Sequence, residues 1–328
     1  MSRQKVLVVA LPQRGTVSPA AWELLCAGRT LADVLKQPLV AYLPGGSAEA
    51  AQELVERGAD RVLWSGHACL KEFNDELQAQ AVLAAAAAEP PSWVLLPASI
   101  AGRSLACRVA VKLGAGLAMD VSELDPASGT VKRSHYSGNL QATMEFKSAV
   151  RVVTVQAMAF PQSARQAGRA GEVAELAFRP APAGTEFLAF QPEAAGELDL
   201  GGAERIVSGG RGVGGPDGFQ AIRDLAHAMG AAVAASRAAV DSGWIPYRHQ
   251  VGLTGRTVRP KLYVACGISG QIQHLAGMSA AGSIVAINTD PECPMMQQAT
   301  ISVLGDMFEL IPLIVAEIKK RKGAAVPA

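Results

Sequence analysis

A strand, a glycine turn and a helix start follow one another at residues 259–278, and this segment carries the residue types best suited to binding a ligand. Its sequence, RPKLYVACGISGQIQHLAGM, predicts a buried strand over residues 261–265, a tight turn over 267–270 and a short helix over 271–278. Free amides at a helix start can hold a phosphate, because the N–H groups and the helix dipole both favour an anion there. The segment therefore predicts a site for a phosphate-bearing ligand.

Polar residues also follow the other strands predicted in the second half of the chain. Ligands of open α/β sheets bind outside the carboxyl ends of the strands, so these residues are candidates for the same site. They are Arg211, Ser236, Arg237, Asn288 and Asp290, with Thr254 from a loop over residues 250–255 and Asp306 at the start of the last helix. Such an edge offers hydrogen-bond donors for phosphates and for ribose-type hydroxyls.

The glycines Gly210, Gly212 and Gly215 match the GxGxxG spacing of a dinucleotide-binding turn. The pattern is incomplete, because the next strand ends in Ser236 and Arg237 and not in the acidic residue that binds a nicotinamide ribose. Taken alone, the glycines fit an ordinary strand-to-helix turn as well as a nucleotide site.

Two basic side chains, Arg237 and His274, would matter most to a bound aromatic ring. Arg237 lies in a turn, ASRAAVD, where it either meets a ligand or forms an ion pair with Asp241. His274 either donates to an electron-rich ring or is hydrogen-bonded in the core, and its position alone favours the core. Cys266 is expected to pack as a small apolar group. No Ser-His-Asp, Cys-His or metal-ligand spacing is found.

The first half of the chain alternates strands and helices, which predicts a mainly parallel sheet covered on both faces. Predicted strands cover residues 5–11, 39–43, 61–64 and 93–96, and predicted helices cover 19–36, 47–57, 72–88 and 103–113. Residues 131–156 are rich in strand formers and are interpreted as antiparallel strands that close one end of the sheet.

A length of 328 residues suits two domains of ordinary size. Residues 178–202 are rich in Pro, Gly and Glu and predict a linker, so the domains are predicted at residues 1–202 and 203–328. In the second domain, strands are predicted at 206–208, 232–235, 262–265, 283–287 and 301–303, and helices at 219–229 and at 306–320, the latter interrupted at Pro312. The predicted fold is two doubly wound α/β domains, the second with a parallel sheet.

Composition disfavours several classes of partner. Lys and Arg number 30 against 29 Asp and Glu, so charge provides no general attraction to nucleic acid or to an anionic membrane. No apolar run approaches the roughly 18 residues that a membrane-spanning helix needs. The five cysteines are scattered and the first ten residues do not resemble a leader. We therefore expect a soluble protein of a reducing, bacterial-type cytoplasm, with no metal site.

Several segments together resemble the α subunit of electron transfer flavoprotein. They are SGGRG at residues 208–212, ASRAAVDSGW at 235–244, QVGLTG at 250–255, LYVACGISGQIQHLAGM at 262–278 and IVAINTDPECP at 284–294. The first half is similar more loosely, through PASIAGRSLACRVAVKLG and YSGN. Leu253 stands where the family usually has glutamine, and the sequence of residues 294–303 differs from the one usual in the family.

The resemblance implies an FAD-binding second domain and a β-subunit partner that carries AMP. It implies an electron carrier that performs no bond chemistry on a substrate and passes electrons singly from dehydrogenases to a quinone oxidoreductase or another acceptor. Thr254 would place a hydroxyl at flavin N5, while Arg237 and His274 would act as cations that stabilise the anion formed by one-electron reduction. Each tenfold preference for that anion moves the potential by roughly 59 mV. The implied FAD contacts are Arg211, Ser236, Arg237, Gln250, Val251, Gly252, Leu253, Thr254, Gly267, Ser269, Gly270, Gln271, Ile272, Gln273, His274, Asn288 and Asp306.

Three alternatives stay open at this point. The chain could belong to an electron-bifurcating flavoprotein with NADH as donor and a second FAD in the β subunit. It could be a nicotinamide-dependent dehydrogenase that uses the GxGxxG turn, although the missing acidic residue argues against this. It could also be a flavin-free scaffold.

Overall fold

The computed structural model describes residues 4–13, 16–136, 140–189, 191 and 200–324. The chain divides into two compact units, Met1–Phe190 and Gln191–Ala328. Both are α/β units built around largely parallel sheets, as the sequence predicts. The predicted domain division at residue 202 remains a prediction.

The first unit contains a nine-stranded sheet among its described residues, with strand order β11-β5-β4-β1-β6-β10-β7-β8-β9. The strands of this unit are β1 Lys5–Val9, β2 Pro12–Gln13, β3 Thr16–Val17, β4 Leu39–Pro44, β5 Arg61–Ser65, β6 Pro91–Pro97, β7 Gly116–Asp125, β8 Thr130–His135, β9 Leu140–Met144, β10 Arg151–Val155 and β11 Glu172–Glu175. Its helices are α1 Pro19–Leu35, α2 Ala48–Glu56, α3 Asp75–Ala88 and α4 Ile100–Leu113. The short strands β2 and β3 pair only with each other.

Local sequence explains where these helices begin. Ser18, Ser47, Asn74 and Ser99 precede the four helices, and each side chain accepts a hydrogen bond from an amide of the first turn. The central strands are apolar on both faces because helices cover both sides of the sheet. The predicted strand and helix series of the first half is therefore confirmed.

The prediction for residues 131–156 is only partly correct. Strands β8 and β9 are antiparallel as expected, but β10 is parallel and lies inside the sheet between β6 and β7. Its sequence, RVVTV, is buried along almost its whole length, which is typical of a parallel strand covered on both faces. The sequence pattern also missed β7, which precedes the antiparallel pair.

The predicted linker at residues 178–202 is irregular over residues 178–189, which are bound to the first unit, whereas Leu200–Gly202 forms a short 3-10 helix in the second unit. Just before it, β11 pairs in parallel with β5 and covers that edge of the sheet. Farther along, the amides of Ala181 and Gly184 donate to the side chains of Gln80 and Glu76 on α3. Residues 190 and 192–199 of the predicted linker, and residues 137–139 of the YSGN segment, lie outside the described residues.

The second unit contains a five-stranded parallel sheet of order β13-β12-β14-β15-β16. Its strands are β12 Arg205–Gly209, β13 Ala232–Ala235, β14 Leu262–Cys266, β15 Ser283–Asn288 and β16 Ile301–Leu304. Its helices are α5 Phe219–Met229, α6 Arg237–Asp241, α7 Ile272–Met278, α8 Pro294–Gln298 and α9 Met307–Ala324. Strand order reverses between β12 and β14, and this switch point opens a crevice at the carboxyl ends of the strands.

Two predictions for the second unit are wrong in detail. The ASRAAVD segment is not a plain turn, because Arg237–Asp241 forms a short helix after Ser236. Pro312 does not interrupt the last helix, which runs through it from Met307 to Ala324. A proline there removes one backbone donor, and the apolar contacts of α9 with the unit core, including the buried Ile311, keep the helix in place.

Among the described residues, no helix combines the length and the apolar character needed to cross a membrane.

Candidate functional site

Two glycine turns meet at the switch point of the second sheet. The amide of Gly210 donates to the Cys266 carbonyl at 2.9 Å, and that of Gly212 donates to the Gly267 carbonyl at 3.0 Å. A Cβ atom on Gly210 would stand 2.7 Å from the Gly267 carbonyl carbon, so a side chain there would force the turns apart. Gly267 itself has φ +61°, a conformation that glycine adopts without cost. The glycines thus let the backbones after β12 and β14 approach each other closely.

The loop over residues 250–256 forms one wall of the crevice and is held by backbone hydrogen bonds at several points. The amide of Val251 donates to the Ala235 carbonyl at the end of β13, and that of Leu253 donates to the Gln273 carbonyl on α7. The Gln250 Nε2 amide donates to Thr254 Oγ1 at 2.9 Å. Because Thr254 Oγ1 accepts this bond, its own proton is left to donate to another group.

These turns and loops enclose a cavity of about 830 Å³ in the second unit. Its floor is formed by buried residues, which include Ser236, Gln250, Val251, Ile268, His274, Ile287 and Cys293. Its charged residues lie on the exposed rim and are Arg211, Arg237, Asp241, Asp290 and Asp306. An apolar floor with a few polar groups and a volume in the range of roughly 300 to 1,000 Å³ is typical of a cofactor site.

His274 lies in the floor of the cavity and not on its rim. Its side chain is 6% exposed, and its Nε2 lies 3.1 Å from the Tyr263 hydroxyl on β14. Burial lowers the pKa of His274 to about 4, and the Val251 backbone opposes this effect only in part. The pKa favours a neutral imidazole at pH 7, which opposes the positive charge predicted for His274 from the sequence; the role of His274 towards flavin stays a prediction. Desolvation disfavours the charged form more than any nearby group favours it.

Arg237 is paired on the rim of the cavity. Its Nε donates to Asp241 Oδ2 at 3.0 Å across one turn of α6, and both side chains are more than half exposed. The two interpretations of Arg237 are thus compatible, since both residues line the cavity and also contact each other. Asp241 reduces the positive charge that Arg237 presents to a ligand.

Some polar groups around the cavity make no hydrogen bond to, or do not cap, the neighbouring described residues. Ser236 precedes α6 in the position of a helix cap, yet its Oγ is buried and makes no hydrogen bond. The Nδ1 atom of His274 is buried and has no hydrogen bond of normal geometry. Gln271 precedes α7 without capping it through its side chain. Buried polar groups are almost always satisfied, so these positions suit a ligand with several polar atoms. The residues present fit a dinucleotide such as FAD.

The far end of the cavity lies beyond β15 and before α9. The Asn288 amide group donates to the Ile268 carbonyl at 3.0 Å and ties β15 to the turn after β14. Asp306 precedes α9 and its Oδ1 accepts from the Phe308 amide at 2.8 Å. Both residues line the cavity, which extends along the carboxyl ends of β13, β12, β14 and β15.

Most of the site residues predicted from the sequence line this cavity. The cavity-lining ones are Arg211, Ser236, Arg237, Gln250, Val251, Gly252, Leu253, Thr254, Gly267, Ser269, Gln271, Gln273, His274, Asn288 and Asp306. Gly270 and Ile272 are not among the lining residues. A Cβ on Gly270 would stand 2.8 Å from Met295 Cα, so this glycine allows the turn to pack against α8. Ile272 is exposed on the surface of α7.

The predicted set omitted the apolar floor and part of the rim. Asp290, a candidate because it follows a strand, lines the cavity, and so does Gly212 of the glycine pattern. The omitted lining residues are Ala238, Asp241, Ile268, Ile287, Thr289, Cys293, Gly305, Met307 and Phe308. Thr289 directly follows β15, so its position in the chain could have signalled it. Nothing in the sequence distinguishes Ile268 or Ile287 from core residues. Cys266, in contrast, packs in the core as predicted, and burial raises its thiol pKa to about 12.

Clusters of three or more His, Cys, Asp or Glu side chains placed to hold a metal ion are absent from the described part of the chain.

Comparison with known families matches both halves of the chain. A family described as the electron transfer flavoprotein domain matches residues 6–181. A second, described as the electron transfer flavoprotein FAD-binding domain, matches residues 199–279. The second match includes both glycine turns, the loop over residues 250–256 and His274.

Curated relatives match over nearly their whole lengths. The chain is 40% identical to the electron transfer flavoprotein subunit alpha of Thermoanaerobacterium thermosaccharolyticum, over 97% of this chain and 98% of that one. It is 34% identical to the subunit of the same name from Bacillus subtilis, over 97% and 98%. It is also 36% identical to protein FixB of Azotobacter vinelandii, over 95% of this chain and 90% of that one.

Proposed function

Because the chain belongs to the α-subunit family of electron transfer flavoproteins, which are FAD-containing electron carriers with a β-subunit partner, we propose that its 830 Å³ cavity holds the FAD. The bound flavin supplies reversible one- and two-electron chemistry. The chain's own residues bind it, orient it and set the polarity around it. We propose that electrons pass singly, from dehydrogenases to a quinone oxidoreductase or another acceptor, without bond chemistry on a substrate.

The observation that carries the proposal is the cavity itself, at the switch point of a parallel sheet, with most of its lining residues in the segment that matches an FAD-binding family. Its chemistry suits the parts of a flavin dinucleotide. Gly210, Gly212 and Gly267 let the two turns pack closely against each other at the cavity. The start of α7 follows the second turn, and free amides at a helix start suit a diphosphate. The proposed FAD-binding residues are those predicted from the sequence, apart from Gly270, which packs against Met295, and Ile272, which is exposed on α7.

Thr254 is proposed to orient the reactive part of the flavin. Its Oγ1 accepts from Gln250, which directs the hydroxyl proton elsewhere, and its backbone carbonyl accepts from the Tyr247 hydroxyl. These two bonds hold the side chain at the exposed mouth of the cavity. A hydroxyl donor fixed in this way can bond a ring nitrogen of the flavin.

The β subunit is expected to complete the flavin environment and to carry AMP or a second FAD. A second FAD with NADH as electron donor would make the complex electron-bifurcating. The identity of the β-subunit cofactor therefore distinguishes a bifurcating flavoprotein from a simple electron carrier. All five cysteines are free thiols, which suits a reducing cytoplasm.

Coexpression of the chain with its β subunit tests this function. We expect one FAD per chain, a visible flavin spectrum and two one-electron stages on stepwise reduction. We also expect reduction by a donor dehydrogenase and no oxidation of NADH by the complex alone. A colourless complex that binds NAD, or a complex that retains no flavin in excess FAD, would contradict the proposal.

A further inference from the structure

A buried tyrosine contacts the histidine in the floor of the cavity. The Tyr263 side chain projects from β14 and is 0% exposed, and its hydroxyl lies 3.1 Å from His274 Nε2. The two rings meet edge to face at 6.1 Å between centroids. Tyr263 also packs in the apolar cluster that contains Ile206, Ala234 and Met278. Its position is thus determined by the core and not by the cavity, so it can determine the position of His274.

The Tyr263 hydroxyl keeps its proton at any physiological pH. Burial raises the pKa of Tyr263, and the Ser208 side chain opposes this rise only in part. His274 is neutral at the same pH, since burial lowers its pKa to about 4. The pair therefore consists of two uncharged groups, and one proton must lie between the phenol oxygen and Nε2.

The surroundings of the imidazole indicate which group donates that proton. Nε2 is a stronger acceptor than the Ser208 hydroxyl, which also lies near the phenol. Ser208 Oγ makes no hydrogen bond among the described residues, so a proton on Nε2 would leave the phenol O–H without an acceptor there. His274 Nδ1 is also buried without a hydrogen bond to a described residue, so it can carry the imidazole proton. This arrangement lets the phenol keep Nε2 as its acceptor and favours donation from Tyr263 to Nε2.

We infer that Tyr263 is a positioning residue, which donates its hydroxyl proton to His274 Nε2 and thereby holds the imidazole as the tautomer with its proton on Nδ1. The uncharged Nδ1–H is then a directed donor for a ligand in the cavity, since it has no partner of normal geometry in the protein. His274 and Val251 both line the cavity, so a ligand atom there can complete this bond. The role towards flavin rests on the proposed function, whereas the tautomer does not.

A neutral donor acts differently from the cation predicted from the sequence. A fixed N–H aimed at the position where negative charge develops stabilises that charge without a proton being taken up. A histidine that titrated near pH 7 would instead make the potential depend on pH through its own ionisation. Tyr263 thus gives His274 a constant electrostatic effect across the neutral range.

Nitrogen-15 NMR of the full chain, labelled in histidine and prepared without flavin, tests the tautomer directly. We expect Nδ1–H to predominate for His274 in the wild-type chain. In Tyr263→Phe, the ratio of Nδ1–H to Nε2–H should fall roughly five- to tenfold, as the loss of one buried hydrogen bond predicts. A predominant Nε2–H signal in the wild-type chain would overturn the inference, whether or not the variant folds.

Tyr42→Phe is the matched control. Tyr42 is also 0% exposed, and its hydroxyl donates to Ser65 Oγ at 3.1 Å in the first unit. Both variants lose one buried hydrogen bond of the same length, so they should have similar melting temperatures. Only Tyr263→Phe should change the His274 signals. An equal change in both variants, or no change in either, would overturn the inference.

The FAD-loaded complex with the β subunit provides a second readout. Tyr263→Phe should disfavour one-electron reduction by roughly three- to tenfold relative to wild type and to Tyr42→Phe, because the donor is no longer held towards the ring. Unchanged potentials together with a changed tautomer would remove the role towards flavin. Failure of the wild-type complex to bind FAD would contradict the proposed function alone, since the flavin-free NMR result is independent of it.

Discussion

Gly277 offers a sensitive test of how the cavity wall is positioned. This glycine lies in α7, and a Cβ atom added to it would stand 2.5 Å from Gly252 Cα. Gly252 precedes Leu253 and Thr254 in the cavity wall, and its φ of +145° suits glycine. A methyl group at residue 277 must therefore displace either α7 or the loop, and both carry cavity-lining residues.

The size of the displacement follows from the contact distance. Carbon atoms in ordinary contact stand roughly 3.5 to 4.0 Å apart, so the two backbones must separate by about 1 Å. Overpacking of this kind costs about 1 to 3 kcal/mol, which should lower the melting temperature by roughly 3 to 10 °C. A wall displaced by about 1 Å should lose one or two hydrogen bonds to the cofactor. We expect FAD affinity to fall about 10- to 100-fold.

Gly277→Ala is compared with Gly215→Ala in the same unit. A Cβ on Gly215 would have no heavy atom within 4 Å, and its φ is not in the positive range. FAD affinity is measured by fluorescence titration of flavin-free complex, and stability by thermal unfolding with and without FAD. We expect Gly215→Ala to match wild type in both measurements.

The reasoning would be refuted if Gly277→Ala bound FAD as tightly as wild type, whatever its melting temperature. Such a result would mean that the loop over residues 250–256 does not contact the cofactor or that α7 moves away from it at no cost. Equal losses of affinity in both variants would also refute it, because only one of the two glycines has a crowded neighbour.

Three further predictions concern single side chains of the cavity. Ser236→Ala should weaken FAD binding about five- to tenfold in fluorescence titration with little change in melting temperature, because its buried Oγ has no partner in the protein. Arg237→Gln should lower the one-electron potential, and Asp241→Asn should raise it, by roughly 30 to 60 mV each in spectroelectrochemical titration, since the two charges oppose each other across the ion pair. His274→Gln should make the protein less sensitive to acid. In the wild-type chain, folding lowers the pKa of His274 from 6.5 to about 4, so the unfolded chain binds more protons between these two pH values. The free energy of unfolding of wild type therefore rises with pH across this window, by at most roughly 3 kcal/mol as measured by urea unfolding, and the variant lacks this contribution.

Each of these predictions can fail on its own. A Ser236→Ala complex with wild-type affinity would remove the hydroxyl from the site. Potentials that move in the same direction in Arg237→Gln and Asp241→Asn would exclude simple charge compensation. Parallel pH profiles for wild type and His274→Gln would mean that the imidazole is not desolvated, because other acidic groups contribute equally to both.

Much of the fold was predictable because its information is local. Serine and asparagine caps precede α1 to α4 and mark where these helices begin. The parallel strands can be recognised in the sequence as short apolar runs of strand length. The prediction failed at β10, whose neighbours β6 and β7 are set by the topology of the sheet. A strand's own residues show that it is buried, but they do not show which strands flank it.

The candidate site divides in the same way. Its polar lining was predictable, because residues such as Ser236 and Asn288 lie at or just after the carboxyl ends of strands that share one edge. Its apolar floor was not, because Ile268 and Ile287 do not differ in type from core residues. The effect of burial on His274 was also not predictable, since a pKa depends on burial and partners that come from β14 and the loop around Val251.

The amino-acid sequence alone determined the family, the two α/β domains, the FAD cofactor and most of the residues on the cavity wall, since glycine turns and strand ends are marked by residue type and order. Only the tertiary structure decided that Tyr263 contacts His274 and that Gly277 meets Gly252. Desolvation and close packing depend on which residues are neighbours in space. Those neighbours come from separate segments of the chain, and folding brings them together.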